Sequence, residues 1–221
     1  SESMRSKLAE YNDPRLSRAF ITKQGTSGKE QAPGTADNAV YAPNGTPEQG
    51  TSKYGTSLFM YSISAPTLLL SYHELKFLEA EDLCRLERDA KSALKDAVVA
   101  GLLNAENSFT ISRKELGKTL INAASSITEA EAESYFDNTI EAKYTAEPLK
   151  TTMTQKYFAL WGASGEATES YNDVRRMKGL GENFIELKNP NSFPLRCPYG
   201  NSDTTTNAEV KAAYGNGQYV Y

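Results

Sequence analysis

The most regular pattern of apolar positions lies between residues 70 and 97. Apolar residues recur there at steps of three and four, which is the spacing of one face of an α-helix. The residues on this line are Tyr72, Leu75, Glu79, Leu83, Leu86, Ala90, Leu94 and Ala97. Phe77, Ala80 and Cys84 form a second line beside the first, so we expect a helix that is packed on two sides.

Two sequence patterns mark the beginnings of further helices. Ser112-x-x-Glu115 and Thr128-x-x-Glu131 each place a hydroxyl three residues before a carboxylate. In such a capping box the two side chains satisfy free backbone N–H groups in the first turn of a helix. We therefore predict that one helix begins after Ser112 and another after Thr128.

Proline, glycine and cap positions predict three more helices. Residues 4–21 are expected to be a helix or a helix with a turn, with Asp13 and Pro14 as a cap and first-turn pair. One helix is expected over 148–162, opened by its proline and ended by its glycine, and a last helix over 164–179. The pattern as a whole predicts a mostly α fold of about six helices, compatible with tetratricopeptide-like helix pairs.

Two segments lack a sustained apolar period. Residues 22–56 are crowded with Gly, Ser, Thr, Pro and Asn, and residues 189–221 begin with a proline-rich stretch. Irregular segments of this length are normally either functional or mobile. We therefore expect residues 1–221 to form one large domain or two small ones, with a long loop at 22–56 and an extended, proline-rich tail at 189–221.

Composition and charge limit the classes of function. The 221 residues are 39% hydrophobic and 24% charged, which is enough to bury a core. A formal net charge of −4 and a pI near 5.3 argue against a nucleic-acid partner. The longest strongly apolar run, Ala65–Leu70, is far shorter than the roughly 20 residues that span a bilayer. Cys84 and Cys197 are interpreted as free thiols.

Three carboxylates, Glu74, Glu79 and Glu81, lie in the helix predicted from residue 70 onward. Glu79 falls on the apolar line, and a buried charge without a partner is strongly destabilising. Arg175 and Arg176 are the expected partners, since a planar guanidinium group binds a carboxylate bidentately. The alternative is a glycosidase-like acid and base pair, which would need two carboxylates flanking a cleft. We favour structural ion pairs because these are far more common.

The residue patterns indicate no catalytic, cofactor or metal site. His73 is the only histidine, so a nucleophilic relay or a zinc site lacks the necessary partners. The glycines form no nucleotide-binding motif. The Asp and Asn residues of 201–207 lack the spacing of a calcium loop, and a polar turn is favoured there. We expect no catalytic residue, no cofactor and no metal, and therefore no enzyme.

Tyrosine is the one residue type in clear excess, with 13 Tyr beside 8 Phe and 1 Trp. A tyrosine offers a flat apolar face and a hydroxyl, which suits the stacking and hydrogen bonding of sugar rings. Tyr41, Tyr54 and Tyr61 lie in or beside the long irregular segment and are the candidate ligand-binding residues. The alternative is that these tyrosines anchor the loop to the domain, and the sequence leaves both possibilities open.

Five stretches resemble, in the same order, the C-terminal part of the SusD/RagB family of outer-membrane nutrient-binding lipoproteins. They are Asn12–Leu16, Tyr72–Glu81, Gln155–Leu160, Glu169–Arg176 and Pro194–Tyr199. Each motif is weak alone, but the collinear set is specific. The motifs are mainly structural, so no ligand-binding residue transfers from the family to a position in this chain.

The resemblance implies a helical scaffold without catalytic activity that captures a glycan or another nutrient at the cell surface. It also implies delivery of that ligand to a SusC-like, TonB-dependent outer-membrane transporter. Contact with the membrane would occur only through a lipid anchor, which these residues do not contain. The alternative function is a helical protein–protein interaction module without sugar binding. A concave aromatic cluster would favour sugar, and a wide apolar patch would favour a protein partner.

Overall fold

The computed structural model describes residues 1–24, 29–31, 41–44, 54, 56–116, 125–188 and 199–214. The helices in these ranges are α1 (Glu2–Glu10), α2 (Tyr72–Arg85), α3 (Lys91–Leu116), α4 (Glu129–Tyr135), α5 (Glu141–Ala146), α6 (Pro148–Leu160), α7 (Glu169–Gly179), α8 (Asn201–Thr206) and α9 (Ala208–Tyr214). A 3₁₀-helix spans Leu58–Tyr61, and a π-helix spans Phe136–Ile140 between α4 and α5. The prediction of a mostly α fold is confirmed.

Three short strands accompany the helices. β1 (Phe20–Gln24) lies between β2 (Lys29–Gln31) and β3 (Thr56–Ser57), and both pairings are antiparallel. In the register, Lys23 pairs with Glu30 and Phe20 with Ser57. The sheet therefore brings the beginning and the end of the predicted 22–56 loop side by side. Most of that segment, and residues 117–124, 189–198 and 215–221, lie outside the described residues.

The predicted helix from residue 70 is two helices. α2 ends at Arg85, and Glu87 adopts the left-handed conformation with φ of 55°, which breaks the helical path. α3 then begins at Lys91, whose N–H donates a hydrogen bond to the Asp89 carboxylate at 3.0 Å. The apolar period continues across this break, so periodicity alone did not reveal it.

The first of the two apolar lines predicted along α2 is largely exposed, although we expected both lines to be packed. Phe77 and Ala80, on the second apolar line, are fully buried, whereas Tyr72, Leu75 and Leu86 are each more than half exposed. The buried face is flanked by polar side chains that find partners on α6 and α7, described below. Burial on that side is therefore stabilised by paired charges that an apolar period does not register.

The two predicted capping boxes have different outcomes. Thr128 is the N-cap of α4, where its hydroxyl accepts a hydrogen bond from the Glu131 N–H at 3.2 Å. Ser112 lies inside α3 instead, fully buried, with its Oγ 2.7 Å from the Leu58 carbonyl oxygen. The prediction of a helix start at Ser112 was wrong, because this hydroxyl ties α3 to the 3₁₀-helix and the Glu115 carboxylate accepts the Ser64 N–H.

Of the two arrangements expected for residues 4–21, the structure has the helix with a turn. α1 ends at Glu10, and Asn12 turns the chain with φ of 48°. Asp13 does not cap a second helix, since its carboxylate accepts hydrogen bonds from the Arg15 N–H at 2.9 Å and from its guanidinium group. This compact turn leaves Arg15 only 2% exposed, with Nη1 donating to the Phe158 carbonyl oxygen of α6.

The predicted bounds of α6 are confirmed, with Pro148 in the first turn and Gly162 just beyond the last. Gly162 has φ of 81°, and a Cβ there would lie 2.3 Å from the Phe59 ring. The last predicted helix, α7, begins at Glu169 rather than near residue 164. No helix among the described residues is long and apolar enough to cross a membrane.

The chain divides into two compact units, residues 1–187 and 188–221. The hydrophobic core of the first unit is built mainly from α1, α2, α3, α4, the π-helix and α6. In the second unit, α8 and α9 occupy part of the segment predicted to be an extended tail. The prolines of that segment all precede Tyr199, and Asn207 caps α9 by accepting the Glu209 N–H at 3.0 Å, so helix formation is unobstructed there.

Replacing Gly162 by alanine is expected to destabilise the protein by about 3 kcal/mol, because a strained φ and an overlap with Phe59 add together. Gly181→Ala is the matched control, since Gly181 has φ of 77° but no neighbouring atom within 4 Å of the added Cβ. The control isolates the backbone strain, expected at about 1 kcal/mol. Urea unfolding measures both, and equal losses would contradict an overlap at Gly162.

Candidate functional site

A buried carboxylate, Glu81, holds α2 against α7. Its Oε2 accepts a hydrogen bond from Arg176 Nη2 at 2.8 Å, and its Oε1 accepts from Arg176 Nη1 and, at 2.7 Å, from Arg85 Nε. The Glu81 side chain is only 5% exposed. Burial by itself raises the pKa of Glu81, but the hydrogen bonds from Arg176 and Arg85 outweigh it and the pKa is lowered.

The ion pair continues into a network that joins α2, α6 and α7. Arg176 also donates to Asp173 at 2.8 Å, and Asp173 lies 2.9 Å from the ammonium group of Lys156 on α6. Lys156 is 2% exposed and lies 3.7 Å from Glu74 on α2. Because each buried charge has an opposite partner, the three helices are held in one arrangement.

The network reaches one segment further along the chain. Arg85 Nη1 donates to the Glu182 carboxylate at 2.8 Å, so the turn that follows α7 is tied to the end of α2. Arg85 Nη2 donates a second hydrogen bond to the same carboxylate at 3.0 Å, so the contact is bidentate. Lys156 and Glu182, at the two ends of this part of the chain, therefore both pair with residues of α2.

The five residues predicted to form ion pairs separate into two groups. Glu81 and Arg176 pair directly, and Glu74 contributes through Lys156, with its pKa raised by burial. Glu79 is half exposed and accepts a hydrogen bond from Lys76 at 2.9 Å, while Arg175 lies over the Tyr171 ring at 5.8 Å. Glu79 and Arg175 thus have partners outside the network.

Sequence reasoning missed four members of the network: Arg85, Lys156, Asp173 and Glu182. A signal existed for Lys156, which lies between apolar residues in the middle of a helix and within the stretch Gln155–Leu160. Lys156 has no counter-charge within four residues on its own helix, which is typical of a lysine paired across elements.

His73 lies on the buried face of α2 beside another buried acid, Glu166. Its Nε2 is 3.6 Å from Glu166 Oε2, and Glu166 Oε1 accepts a hydrogen bond from the Ser71 N–H. Burial lowers the pKa of His73 below its ordinary value of 6.5, with the Glu166 charge opposing and the Arg15 charge assisting. His73 is therefore a packed, neutral residue at pH 7.

Of the three candidate tyrosines, Tyr41 lies at the end of a row of aromatic rings, and Tyr61 packs against the core that these rings belong to. The Tyr41 ring meets the Phe20 ring edge to face at 5.1 Å, and the Arg5 guanidinium lies over it at 5.4 Å. Phe20 continues to Trp161 at 5.3 Å. Tyr61, at the end of the 3₁₀-helix, is half-buried against the same core.

The row extends from Trp161 to Phe59 at 5.0 Å and from Phe59 to Phe109 of α3 at 4.9 Å. Offset and edge-to-face pairs of this kind each add stability beyond their burial. The packing of Tyr41 suits the anchoring alternative stated above. Tyr54 is half-buried, and the residues next to it on both sides lie outside the described ranges.

The carboxylates of this network are buried and paired rather than placed on an open cleft. Glu74 and Glu81 are buried against Lys156 and Arg176, so neither carboxylate is open to a substrate. Within the described ranges, no group of three or more His, Cys, Asp or Glu side chains could hold a metal ion.

Comparison with known proteins identifies the class. Residues 1–199 match the SusD-like family that is described as starch-binding and associating with the outer membrane. The chain therefore belongs to the SusD/RagB family, whose members are binding proteins of the outer membrane. No protein with a curated function matches the sequence.

Two solved structures share the fold. A SusD/RagB family protein from Bacteroides thetaiotaomicron VPI-5482 is 62% identical, with a TM-score of 0.87 over 98% of this chain and 47% of its own. A protein from Bacteroides vulgatus ATCC 8482, described in terms of outer-membrane location and nutrient binding, is 19% identical with a TM-score of 0.64 over 98% of this chain and 48% of its own. The chain thus spans about half the length of both structures.

Replacing Glu81 by glutamine is expected to destabilise the protein by about 3 kcal/mol. Removal of one member of a buried ion pair leaves uncompensated charge, and the partial exposure of Arg176 keeps the loss at the lower end of the usual range. Glu79→Gln is the matched control on the same helix, with an expected change within about 0.5 kcal/mol because its pair is exposed. Equal midpoints for the two variants in urea unfolding would disprove the central role of Glu81.

Stability is expected to fall as pH drops below 6.5 toward 5. The unfolded chain binds a proton at His73 in this window, whereas the folded chain, with its lowered pKa, does not. His73→Gln should flatten this slope, since His73 is the only histidine. The raised pKa of Glu74 gives an opposite slope, present in both proteins, that cancels in their difference. Free energies of unfolding at several pH values test this, and identical slopes would contradict it.

Proposed function

We propose that this chain is the binding part of a cell-surface protein that captures a glycan and delivers it to a SusC-like, TonB-dependent outer-membrane transporter. The observation that carries the proposal is the family match over residues 1–199, joined to the 62% identity with a SusD/RagB family structure. A lipid anchor would hold the protein at the membrane, and the protein itself would perform no catalysis.

The helical network supplies what such a receptor needs. A binding surface loses less entropy on association when it is rigid before the ligand arrives. The Glu81–Arg176 pair holds α2 against α7, and the aromatic row ties the 3₁₀-helix to α3, close in sequence to Tyr54 and Tyr61, the candidate stacking rings. In this proposal those two rings stack on sugar faces, while Tyr41 keeps its contacts with Phe20 and Arg5 and anchors the segment.

A second function, a protein–protein interaction module, is favoured by one observation. An exposed apolar strip runs along the outer face of α2 and the segment before it. Its members are Ile63, Leu69, Leu70, Tyr72, Leu75, Leu78 and Leu86. Large exposed apolar side chains that are grouped along the sequence in this way are typical of protein contact sites. The transporter is the partner that the family suggests, and the strip would serve that contact whether or not the chain binds sugar.

Isothermal titration with a panel of neutral polysaccharides, starch first, is expected to show binding of about −4 to −8 kcal/mol, which is millimolar to micromolar affinity. Tyr54→Ala and Tyr61→Ala should each weaken binding about tenfold, since loss of one stacking ring removes roughly 1 to 2 kcal/mol. Tyr171→Ala, on α7, is the control because its exposed ring is remote from the irregular segment in sequence.

Absence of heat with every glycan would refute glycan capture. Co-purification of the same preparation with the transporter, abolished by Leu75→Asp, would then establish the interaction module instead. Unchanged affinity in both tyrosine variants with intact glycan binding would keep the function but move the site elsewhere.

A further inference from the structure

A cleft of about 490 Å³ lies between the turn after α1 and the outer face of α4 and the π-helix. This size is within the range of about 300–1,000 Å³ typical of small-molecule sites. None of the predicted ligand-binding tyrosines lines it, so it is separate from the tyrosine-bearing segment. The residues that line this cleft indicate which class of ligand it could bind.

The first wall is held rigidly by two arginines. Arg15 neutralises Asp13 through hydrogen bonds at 2.8 Å from Nε and 2.6 Å from Nη2. Arg18 crosses the end of the cleft and donates from Nη2 to both carboxylate oxygens of Glu131 at 2.9 Å. A backbone turn pinned at both ends in this way presents Asn12 and Ser17 at fixed positions.

The second wall depends on the π-helix. The wider turn of Phe136–Ile140 places its apolar ends in the core while the consecutive Asn138 and Thr139 both line the cleft. Ser134 lies one turn before them, and its Oγ accepts a hydrogen bond from Asn138 Nδ2 at 2.9 Å. Single π turns inside α-helices often occur at functional sites.

The chemistry of the lining selects the class of ligand. The charged groups of the lining are paired, Asp13 with Arg15 and Arg18 with Glu131, so an ionic ligand would find no opposite charge in excess. Amide and hydroxyl groups, which both donate and accept hydrogen bonds, form the remaining polar lining. Leu16 and Pro14 add apolar surface to this polar lining. A sugar ring has the same combination of hydroxyls and C–H faces.

We propose that this cleft is a carbohydrate subsite that binds a neutral ligand of one or two sugar rings. The inference rests on the proposed glycan function for its ligand class and adds a location that is independent of the tyrosines. A long glycan that engaged both this cleft and the tyrosines would bind with a higher overall affinity than at either site alone.

The test uses the 221-residue chain labelled with ¹⁵N and titrated with maltose, cellobiose and lactose to about 10 mM, because shallow sugar sites bind in the millimolar range. Saturable amide shifts are expected at Asn12, Ser134, Asn138 and Thr139. Ser134→Trp, which fills the cleft, should weaken this binding at least about tenfold. Glu133→Trp is the matched control, since Glu133 is exposed on the same helix but does not line the cleft.

Asn138→Leu provides a second variant, which removes the amide but leaves space, and it too should weaken binding. Glycan binding that is lost in the tyrosine variants and unchanged in Ser134→Trp and Asn138→Leu would overturn the subsite while the proposed function survives. Shifts at the cleft with a charged sugar acid but with none of the three neutral sugars would overturn the ligand class. Absence of binding by any sugar would overturn both proposals.

Discussion

The structure depends most on the compensation of one buried carboxylate. Glu81 would destabilise α2 if it were buried alone, yet Arg85 from its own helix and Arg176 from α7 supply two guanidinium groups to it. The same arginines reach Asp173 and Glu182, and Asp173 reaches Lys156 on α6. A set of paired charges therefore holds α2, α6 and α7 in one arrangement, in addition to the apolar packing.

The buried charges and the aromatic row stabilise different parts of the structure. The charges face inward and hold the helices, while the aromatic row from Tyr41 to Phe109 ties the irregular segment and the 3₁₀-helix to α3. The chain belongs to the SusD/RagB family, whose members are binding proteins of the outer membrane. In the proposed function, rigid support behind the candidate tyrosines would favour capture of a weakly bound nutrient, because each flexible element would add an entropic cost to binding.

Several features of the fold were predictable because they depend on neighbours in sequence. Thr128 caps α4, Pro148 opens α6 and Gly162 follows it with a positive φ, and each is a local property of one or two residues. The box at Ser112 shows the limit of such signals. Its hydroxyl serves the Leu58 carbonyl, 54 positions away in the chain, and no local pattern contains that information.

The sequence by itself determined the helical class, several helix ends and the family. Periodicity, caps and motifs each depend on residues that are close together in the sequence. Only the tertiary structure decided which face of α2 is buried, which carboxylates share the arginines, and how the π turn and the turn after α1 enclose a cleft. A helical period places residues on faces but does not say which face a neighbouring element will cover. That choice is made by partners distant in sequence, whose opposite charges make burial of polar groups favourable.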